Sequence, residues 1–348
     1  MTTPPAPSPS AQPWFTTRGI VLTWDDVTSY DWPALAARAG LTTVSVHTSA
    51  DGWASPAAHE LRARCAELGL AIEEQQHALD RLLPRALFDT APGMFRAGAD
   101  GVRTPDANCC ASSPDALDVI AEHAVTELER SATTTDRFYF WADDGGGWCH
   151  CPRCSELSPS DQSLLISNHV MRALRRVRPA AQLSHLAYQS TMAAPVATVP
   201  EKGVFLEFAP FFRTWEVPLS RTEANGPGWD PSVPDRSSPR AGRRDMLRVS
   251  HAEYLDRLDE NLTVFPAATA QVLEYWLDVS LFSDWTMPAV ELPWSDGVLE
   301  ADLDTYGSRG IRHVTTFGAY MNGEYFASVG GVEPVERYGR ALAAWRPR

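Results

Sequence analysis

The chain has 348 residues, of which 44% are apolar, and a formal net charge of -14 at pH 7. This length suits one large α/β domain or two small ones, and the apolar fraction is enough for a sizeable core. The acidic balance argues against nucleic acid or an anionic membrane as the main partner, because both are bound through basic surfaces.

The first thirteen residues, MTTPPAPSPSAQP, are rich in Pro, Ser and Thr. They lack the basic and apolar regions of a signal peptide, so we expect 1–13 to be a disordered leader. No apolar run in the chain reaches the roughly 18 residues of a membrane span. We therefore expect a cytoplasmic protein, in which the six cysteines are thiols or metal ligands rather than disulfides.

From Trp14 onward, short apolar runs alternate with helical patterns. Helices are predicted between the eight strands and after the last of them, with the clearest at 55–69, 113–131, 164–177, 297–310 and 334–345. The strands are predicted at 19–24, 42–48, 70–78, 137–144, 182–190, 203–211, 270–278 and 311–320. This alternation predicts a single-domain (β/α)8 TIM barrel over 14–348. An open doubly wound sheet is the alternative, but its first turn is usually glycine-rich and TWDDVTS is not.

Acidic residues recur at the predicted carboxyl ends of the strands, where (β/α)8 enzymes place their chemistry. A single carboxylate inside an apolar run is often an ion pair or an outward-facing residue. Acids at the same end of several strands favour a functional site. The candidates are Asp25 and Asp26 after strand one, Asp143 and Asp144 at strand four, Glu207 in strand six and Glu274 in strand seven.

Carboxylates on opposite sides of a barrel mouth fit glycoside cleavage. One carboxylic acid protonates the leaving oxygen, and a second activates water, attacks carbon or supports a substrate group that attacks. Clustered carboxylates also suit magnesium or calcium, so a metal-dependent enzyme is an alternative. Nearby aromatic residues favour sugar over metal. No organic cofactor is predicted, since the three glycines after Asp144 are not followed by the G-K-[ST] of a phosphate loop.

Three cysteines follow the same strand with the spacing C-x-C-x-x-C, namely Cys149, Cys151 and Cys154. Three thiolates this close need a fourth ligand to form a tetrahedral zinc site. Four protein ligands leave no open position, so such a zinc would be structural and would hold the loop after strand four. Reduced thiols, or disulfides in an exported protein, are the alternatives. The candidates for the fourth ligand are Cys109, Cys110 and His150.

Several segments together resemble a domain family of unknown function within the glycoside-hydrolase barrel superfamily, near the α-glucuronidases and hexosaminidases. They are LLPRALFDTAPGMFRA, GVRTPDANCCASSPDA, FYFWADDGGGWCHCPRCSEL, LAYQST and VLEYWLD. The resemblance covers roughly residues 70–325. The typical family pattern is N-D-G-G-G-x-C-x-C-x-x-C, in which Asp144 takes the aspartate position and Asp143 replaces the usual asparagine.

The resemblance implies roles for these residues. It makes Cys110 the fourth metal ligand and Asp144 the general acid, with Asp143 orienting a substrate group as in hexosaminidases that use the substrate's acetamide. We expect Glu274 to be the second carboxylate, with Glu207 the next choice. Sugar contacts are expected from His77, Trp141, Tyr188, Tyr275, Asp278, Tyr320 and Glu324.

The sequence thus predicts a glycosidase with a carbohydrate substrate and a structural zinc. One alternative is an inverting uronidase-like hydrolase with Glu207 or Glu274 as its base. Another is a carbohydrate-binding barrel without activity. The Pro/Gly-rich segment 216–245 is expected to be a solvated loop, and its arginines would bind an acidic sugar only if it covered the cleft.

Overall fold

A computed structural model describes residues 12–47, 50–53, 55–226 and 249–348. Eight parallel strands form a closed barrel, with each strand paired to the next and β8 paired to β1. The predicted (β/α)8 barrel is confirmed, and the closing β8–β1 pairing excludes the open sheet. The strands are β1 Thr17–Thr23, β2 Thr43–His47, β3 Ala71–His77, β4 Arg137–Trp141, β5 Gln182–Ala187, β6 Val204–Phe208, β7 Gln271–Glu274 and β8 His313–Phe317.

Helices surround the barrel and alternate with its strands. They are α1 Trp24–Ser29, α2 Trp32–Ala39, α3 Ala50–Trp53, α4 Pro56–Glu67, α5 Leu79–Leu82, α6 Pro114–Arg130, α7 Pro159–Val177, α8 His251–Val264, α9 Val279–Phe282, α10 Asp296–Ser308, α11 Gly323–Ser328 and α12 Glu333–Ala344. Within the described ranges, none of these helices is both long and apolar enough to cross a membrane.

Local capping chemistry sets many of the helix ends. The Ser55 and Ser113 hydroxyls accept hydrogen bonds from the first turns of α4 and α6, and both helices have proline at their start. Helix α2 ends at Gly40, whose φ of 78° is a left-handed conformation that glycine adopts without strain. Helix α7 begins at Pro159, five residues before the predicted start, because Ser158 caps it.

The connection between β5 and β6, whose residues are all described, carries a short 3-10 helix at Gln189–Thr191 instead of an α-helix. Asp161, in the first turn of α7, holds the rest of this connection. Its Oδ1 accepts hydrogen bonds from three successive backbone N–H groups, those of residues 196–198, at 3.0, 2.8 and 2.8 Å. These bonds fix an otherwise irregular segment against the helix layer.

One segment expected to be a turn is helical, and two other predicted segments lie largely outside the described residues. The turn TWDDVTS after strand one is a helix, α1, because the Thr23 hydroxyl caps it by accepting from Asp26 N at 3.2 Å. The predicted leader falls mainly on residues 1–11, and most of segment 216–245 falls on 227–248. Both of these ranges lie outside the described residues.

Candidate functional site

A cavity of about 390 Å³ opens at the carboxyl ends of the barrel strands. Aromatic side chains from several strand ends form much of its wall, and two carboxyl groups face it. The lining residues that bear on the chemistry are His47, His77, Trp141, Asp144, Tyr188, Gln189, Phe211, Tyr275, Asp278 and Trp285. The cavity therefore combines acids with ring faces, which is the arrangement that a sugar site needs.

The two cavity carboxyls, Asp144 and Asp278, come from opposite sides of the ring. Asp144 follows β4 and Asp278 follows β7, three strands further along a closed ring of eight. Asp144 is exposed, and Gln189 Nε2 donates to its Oδ1 at 3.2 Å. Asp278 is only 5% exposed and accepts at Oδ1 from Ser280 N at 3.1 Å and from Ser280 Oγ at 2.5 Å. Burial raises the pKa of Asp278 to about 7.

Two imidazoles line the cavity beside Trp141. Nδ1 of His47 lies 2.7 Å from the Gln75 carbonyl oxygen, and Nδ1 of His77 lies 2.5 Å from that of Ala142. A carbonyl only accepts hydrogen bonds, so Nδ1 carries the proton in both rings. Burial, aided by the charge of His77, lowers the pKa of His47 to about 4. His47 is therefore neutral at pH 7, and its Nε2 is a hydrogen-bond acceptor.

Asp143 faces away from this cavity. Its carboxylate pairs with the Arg85 guanidinium and accepts from Asn108 N at 2.6 Å, while Asn108 Oδ1 accepts from Asp143 N at 2.9 Å. Asp143 thus ties the loop after β4 to the long connection before α6. The predicted role in orienting a substrate group does not fit this placement, because the side chain lines only a small adjoining pocket of about 40 Å³.

Glu274 also lies away from the cavity, on the outer face of β7. Its Oε1 accepts from Arg213 Nη1 at 2.7 Å and from the Tyr306 hydroxyl, and Arg213 Nη1 lies 2.8 Å from Asp302 Oδ2. The side chains of Arg213, Glu274 and Asp302 are fully buried. The expectation of a second carboxylate across the cavity from Asp144 does not fit Glu274, which belongs to an ion-pair cluster between the barrel and α10.

Glu207 is fully buried inside the barrel, beneath the cavity. Its Oε2 accepts from Trp141 Nε1 at 2.7 Å, and its Oε1 accepts from Gln271 Nε2 at 2.9 Å. Burial raises the pKa of Glu207 to about 8. The ring of Trp141 lies 5.9 Å from that of His47 and 5.2 Å from that of His77. Glu207 therefore supports the indole that lines the cavity and has no position in the lining itself.

Replacing Glu207 with glutamine should destabilise the protein by about 1–3 kcal/mol, because an amide offers only one oxygen to the two buried donors. Urea unfolding measures this loss. The same substitution in a Trp141→Phe background should cost less, since the indole donor is then absent. Equal losses in the two backgrounds would show that the Trp141 hydrogen bond contributes nothing to the role of Glu207.

The remaining predicted contacts divide into two groups. His77, Trp141, Tyr188, Tyr275 and Asp278 line the cavity. Tyr320 and Glu324 are outside its lining, and Tyr320 N instead donates to Asp26 Oδ2 at 3.1 Å. Among the lining residues that the predicted contact set lacked are His47, Gln189 and Phe211. Each ends or closely follows a strand, and that position is the signal that could have found them.

The four predicted metal ligands come together in a buried group. The Sγ atoms of Cys110, Cys149, Cys151 and Cys154 all lie within 4.8 Å of one another, and this group could hold a metal ion. Cys109 and His150 are not part of it. Within the described part of the chain it is the one group of three or more potential ligand residues, so the mouth carboxylates do not assemble the alternative metal centre. None of these cysteines forms a disulfide.

Residues 5–229 match a family model described as Domain of unknown function (DUF4838). The matched region contains Asp144 and the four clustered cysteines and ends before Asp278. No match was found among curated protein sequences.

Several solved structures resemble the chain in fold. A β-galactosidase from the psychrophilic Marinomonas ef1 aligns with a TM-score of 0.52 and 11% identity, over 94% of this chain and 59% of that longer chain. A family 5 glycoside hydrolase from Prevotella bryantii B14 aligns with a TM-score of 0.48 and 10% identity, over 94% of this chain and 96% of that chain. A D-psicose 3-epimerase from Clostridium cellulolyticum H10 aligns with a TM-score of 0.44 and 9% identity, over 94% of this chain and 96% of that chain. At 11% identity, the likeness to the β-galactosidase shows the barrel fold alone.

Proposed function

The chain belongs to the DUF4838 family, and we propose that its barrel is a glycoside hydrolase that acts in the cavity at the strand ends. One observation carries the proposal: Asp144 and Asp278 face a single aromatic cavity from β4 and β7. Glycosidases cleave their bond between two such carboxyl groups, and aromatic faces bind sugar rings.

The different surroundings of Asp144 and Asp278 suggest which of them is the general acid and which is the base or nucleophile. Buried Asp278, with a pKa of about 7, keeps its proton near neutral pH and fits the general acid. Exposed Asp144 fits the base that activates water or the nucleophile that attacks carbon. The family resemblance gives the acid role to Asp144, and this reversed assignment is the alternative.

The pH dependence of kcat/KM separates these two assignments. If Asp278 is the acid, kcat/KM should fall as the pH rises through about 7, because the free enzyme then loses the proton that it donates. If Asp278 is the base, kcat/KM should rise over the same range. The carboxyl of Asp26 also raises the pKa of Asp278, so Asp26→Asn should move the inflection to lower pH. A melting curve at each pH confirms that the enzyme remains folded.

A screen of chromogenic aryl glycosides tests the function itself. The panel should cover neutral hexosides, N-acetylhexosaminides and uronides in both anomers, and the proposal expects turnover of at least one series. Sugar affinity without turnover of any substrate would contradict it and would indicate a carbohydrate-binding barrel instead. N-acetylhexosaminides test substrate-assisted chemistry, which the placement of Asp143 does not favour.

We also propose that the four-cysteine group holds a structural zinc ion. Zinc–sulfur bonds of about 2.3 Å in a tetrahedron place the sulfur atoms about 3.8 Å apart. The Cys110 Sγ lies 3.7 Å from that of Cys151 and 3.9 Å from that of Cys154. Ala97 N donates to Cys149 Sγ at 3.4 Å, as expected around a bound thiolate. Four such ligands complete the shell, so the zinc would stabilise the fold without binding substrate.

A further inference from the structure

Two arginines lie beside residues of the cavity mouth, but both turn away from it. Arg213 follows the lining residue Phe211, yet its buried guanidinium pairs with Glu274 and Asp302. Arg85 pairs with Asp143 and donates to the Asn108 carbonyl oxygen at 2.8 Å. Of the described residues that line the cavity, none is lysine or arginine.

Three of the polar groups in the cavity lining can accept hydrogen bonds from a ligand. Asp144 supplies an exposed carboxylate, and Asp278 supplies a carboxyl group that becomes negative when it loses its proton. Neutral His47 presents the lone pair of Nε2, because its Nδ1 proton is bonded to the Gln75 carbonyl. A ligand that fits these acceptors brings hydroxyl or amine donors, and the two carboxyl groups disfavour a negative charge on it.

Resting on the glycosidase function, we propose that this cavity selects sugar rings without a negative charge, either neutral or amine-bearing, and excludes uronic acids. A uronate carboxylate would lose its water and meet Asp144, and no lysine or arginine among the described lining residues could pair with it. A hydroxyl at the same position would donate to the same acceptors. An ammonium group would gain from Asp144 and from the faces of Trp141 and Tyr275. The proposal therefore argues against the alternative of a uronidase-like hydrolase.

Matched substrates test this selectivity. Aryl glucosides, glucosaminides and glucuronides with one leaving group, and their galacto and manno counterparts, differ mainly in charge. We expect kcat/KM for the neutral substrate to exceed that for the uronide by at least about 100-fold, with the amine-bearing substrate at least equal to the neutral one. A uronide cleaved as fast as its neutral counterpart would overturn the inference while leaving the glycosidase function intact.

Binding measurements keep this test independent of catalysis. Titration calorimetry with free glucose, glucosamine and glucuronate, and with the galacto and manno series, should detect a neutral or amine-bearing sugar and no uronate. If such a sugar binds but no aryl glycoside is cleaved, the proposed function fails and the selectivity stands. Uronate binding of equal strength, or the absence of all binding, overturns the selectivity.

A charge placed in the wall tests its electrostatic cause. Phe211 lines the cavity, so Phe211→Lys adds a cation there, and Phe211→Met is the matched control without charge. Relative to the methionine variant, the lysine variant should improve the uronide-to-neutral ratio, in kcat/KM or in affinity, by at least about 10-fold. Melting curves check that both variants fold. Equal ratios in the two folded variants would overturn the electrostatic explanation.

Discussion

The Asp144→Asn substitution is expected to lower kcat/KM by about 100-fold or more on whichever aryl glycoside the wild-type enzyme cleaves. Asparagine keeps nearly the same shape and can still meet Gln189, which donates to the Asp144 carboxylate at 3.2 Å. It cannot act as acid, base or nucleophile, so the loss would arise from the chemistry. Unchanged turnover would remove Asp144 from the mechanism under either assignment of the two carboxyls.

The adjacent residue provides a matched control. Asp143→Asn makes the same chemical change one position away, in a side chain that faces Arg85 and Asn108. We expect its kcat/KM to stay within about 10-fold of wild type, with a lower melting temperature because an ion pair is lost. Asp256→Asn, on the exposed face of α8, controls for a general charge effect. Equal losses in the Asp143 and Asp144 variants would contradict the division of roles.

Of the substitutions proposed here, the loss of a metal ligand should lower the free energy of unfolding most. We expect about one zinc per chain by mass spectrometry of the purified protein, and we expect Cys154→Ser to lose that zinc. Because binding energy at a structural zinc adds to folding energy, the variant should lose at least about 3 kcal/mol in urea unfolding. Purified wild-type protein without any bound metal would contradict the zinc proposal.

Cys109→Ser is the matched control for the metal site. Cys109 is buried and precedes a predicted ligand in the chain, but it lies outside the four-cysteine group. This variant should retain its zinc and lose only the stability that a buried hydroxyl costs. Zinc loss as complete as that of Cys154→Ser would show that the assigned ligand set is incorrect.

The fold could be predicted from the sequence because its signals are local. Apolar runs identified all eight strands, and the predicted helices at 55–69 and 113–131 begin at Ser55 and Ser113, which cap α4 and α6. The early start of α7 was missed although Ser158 and Pro159 indicate it, since residues 159–163 are mostly polar. Local chemistry determined these elements, and the order of strands in a barrel follows the order of the chain.

The site was harder to predict than the fold. Successive side chains of a strand point alternately into and out of the barrel, and the sequence does not show which of the two sets points inward. In β7, Leu273 and the following Tyr275 face inward, so Glu274 between them faces outward. The run QVLEYWL is apolar on both faces, as buried parallel strands are, and therefore carries no sign of its phase. The partner that satisfies Glu274 is Arg213, 61 residues earlier. No spacing rule could have paired them.

The orientations of the neighbouring carboxylates Asp143 and Asp144 could not be predicted from the sequence either. Both end the predicted strand four, and a sequence motif treats them as a pair. Their different orientations depend on Arg85 and Asn108, which belong to the long irregular connection before α6. Contacts across such a connection are non-local, so they became visible only in the folded chain.

The two sides of the cavity mouth are stabilised by different kinds of interaction. On the β4 side, the proposed zinc ion would join the four-cysteine group and so hold the loop that follows Asp144. On the β7 side, Arg213 bridges Glu274 and Asp302, and burial shields this ion pair from dissolved salt. Thiolates are open to oxidation and carboxylates are not. A peroxide should therefore release the Asp144 side while the Asp278 side keeps its shape, and a reductant supplied with zinc should restore it.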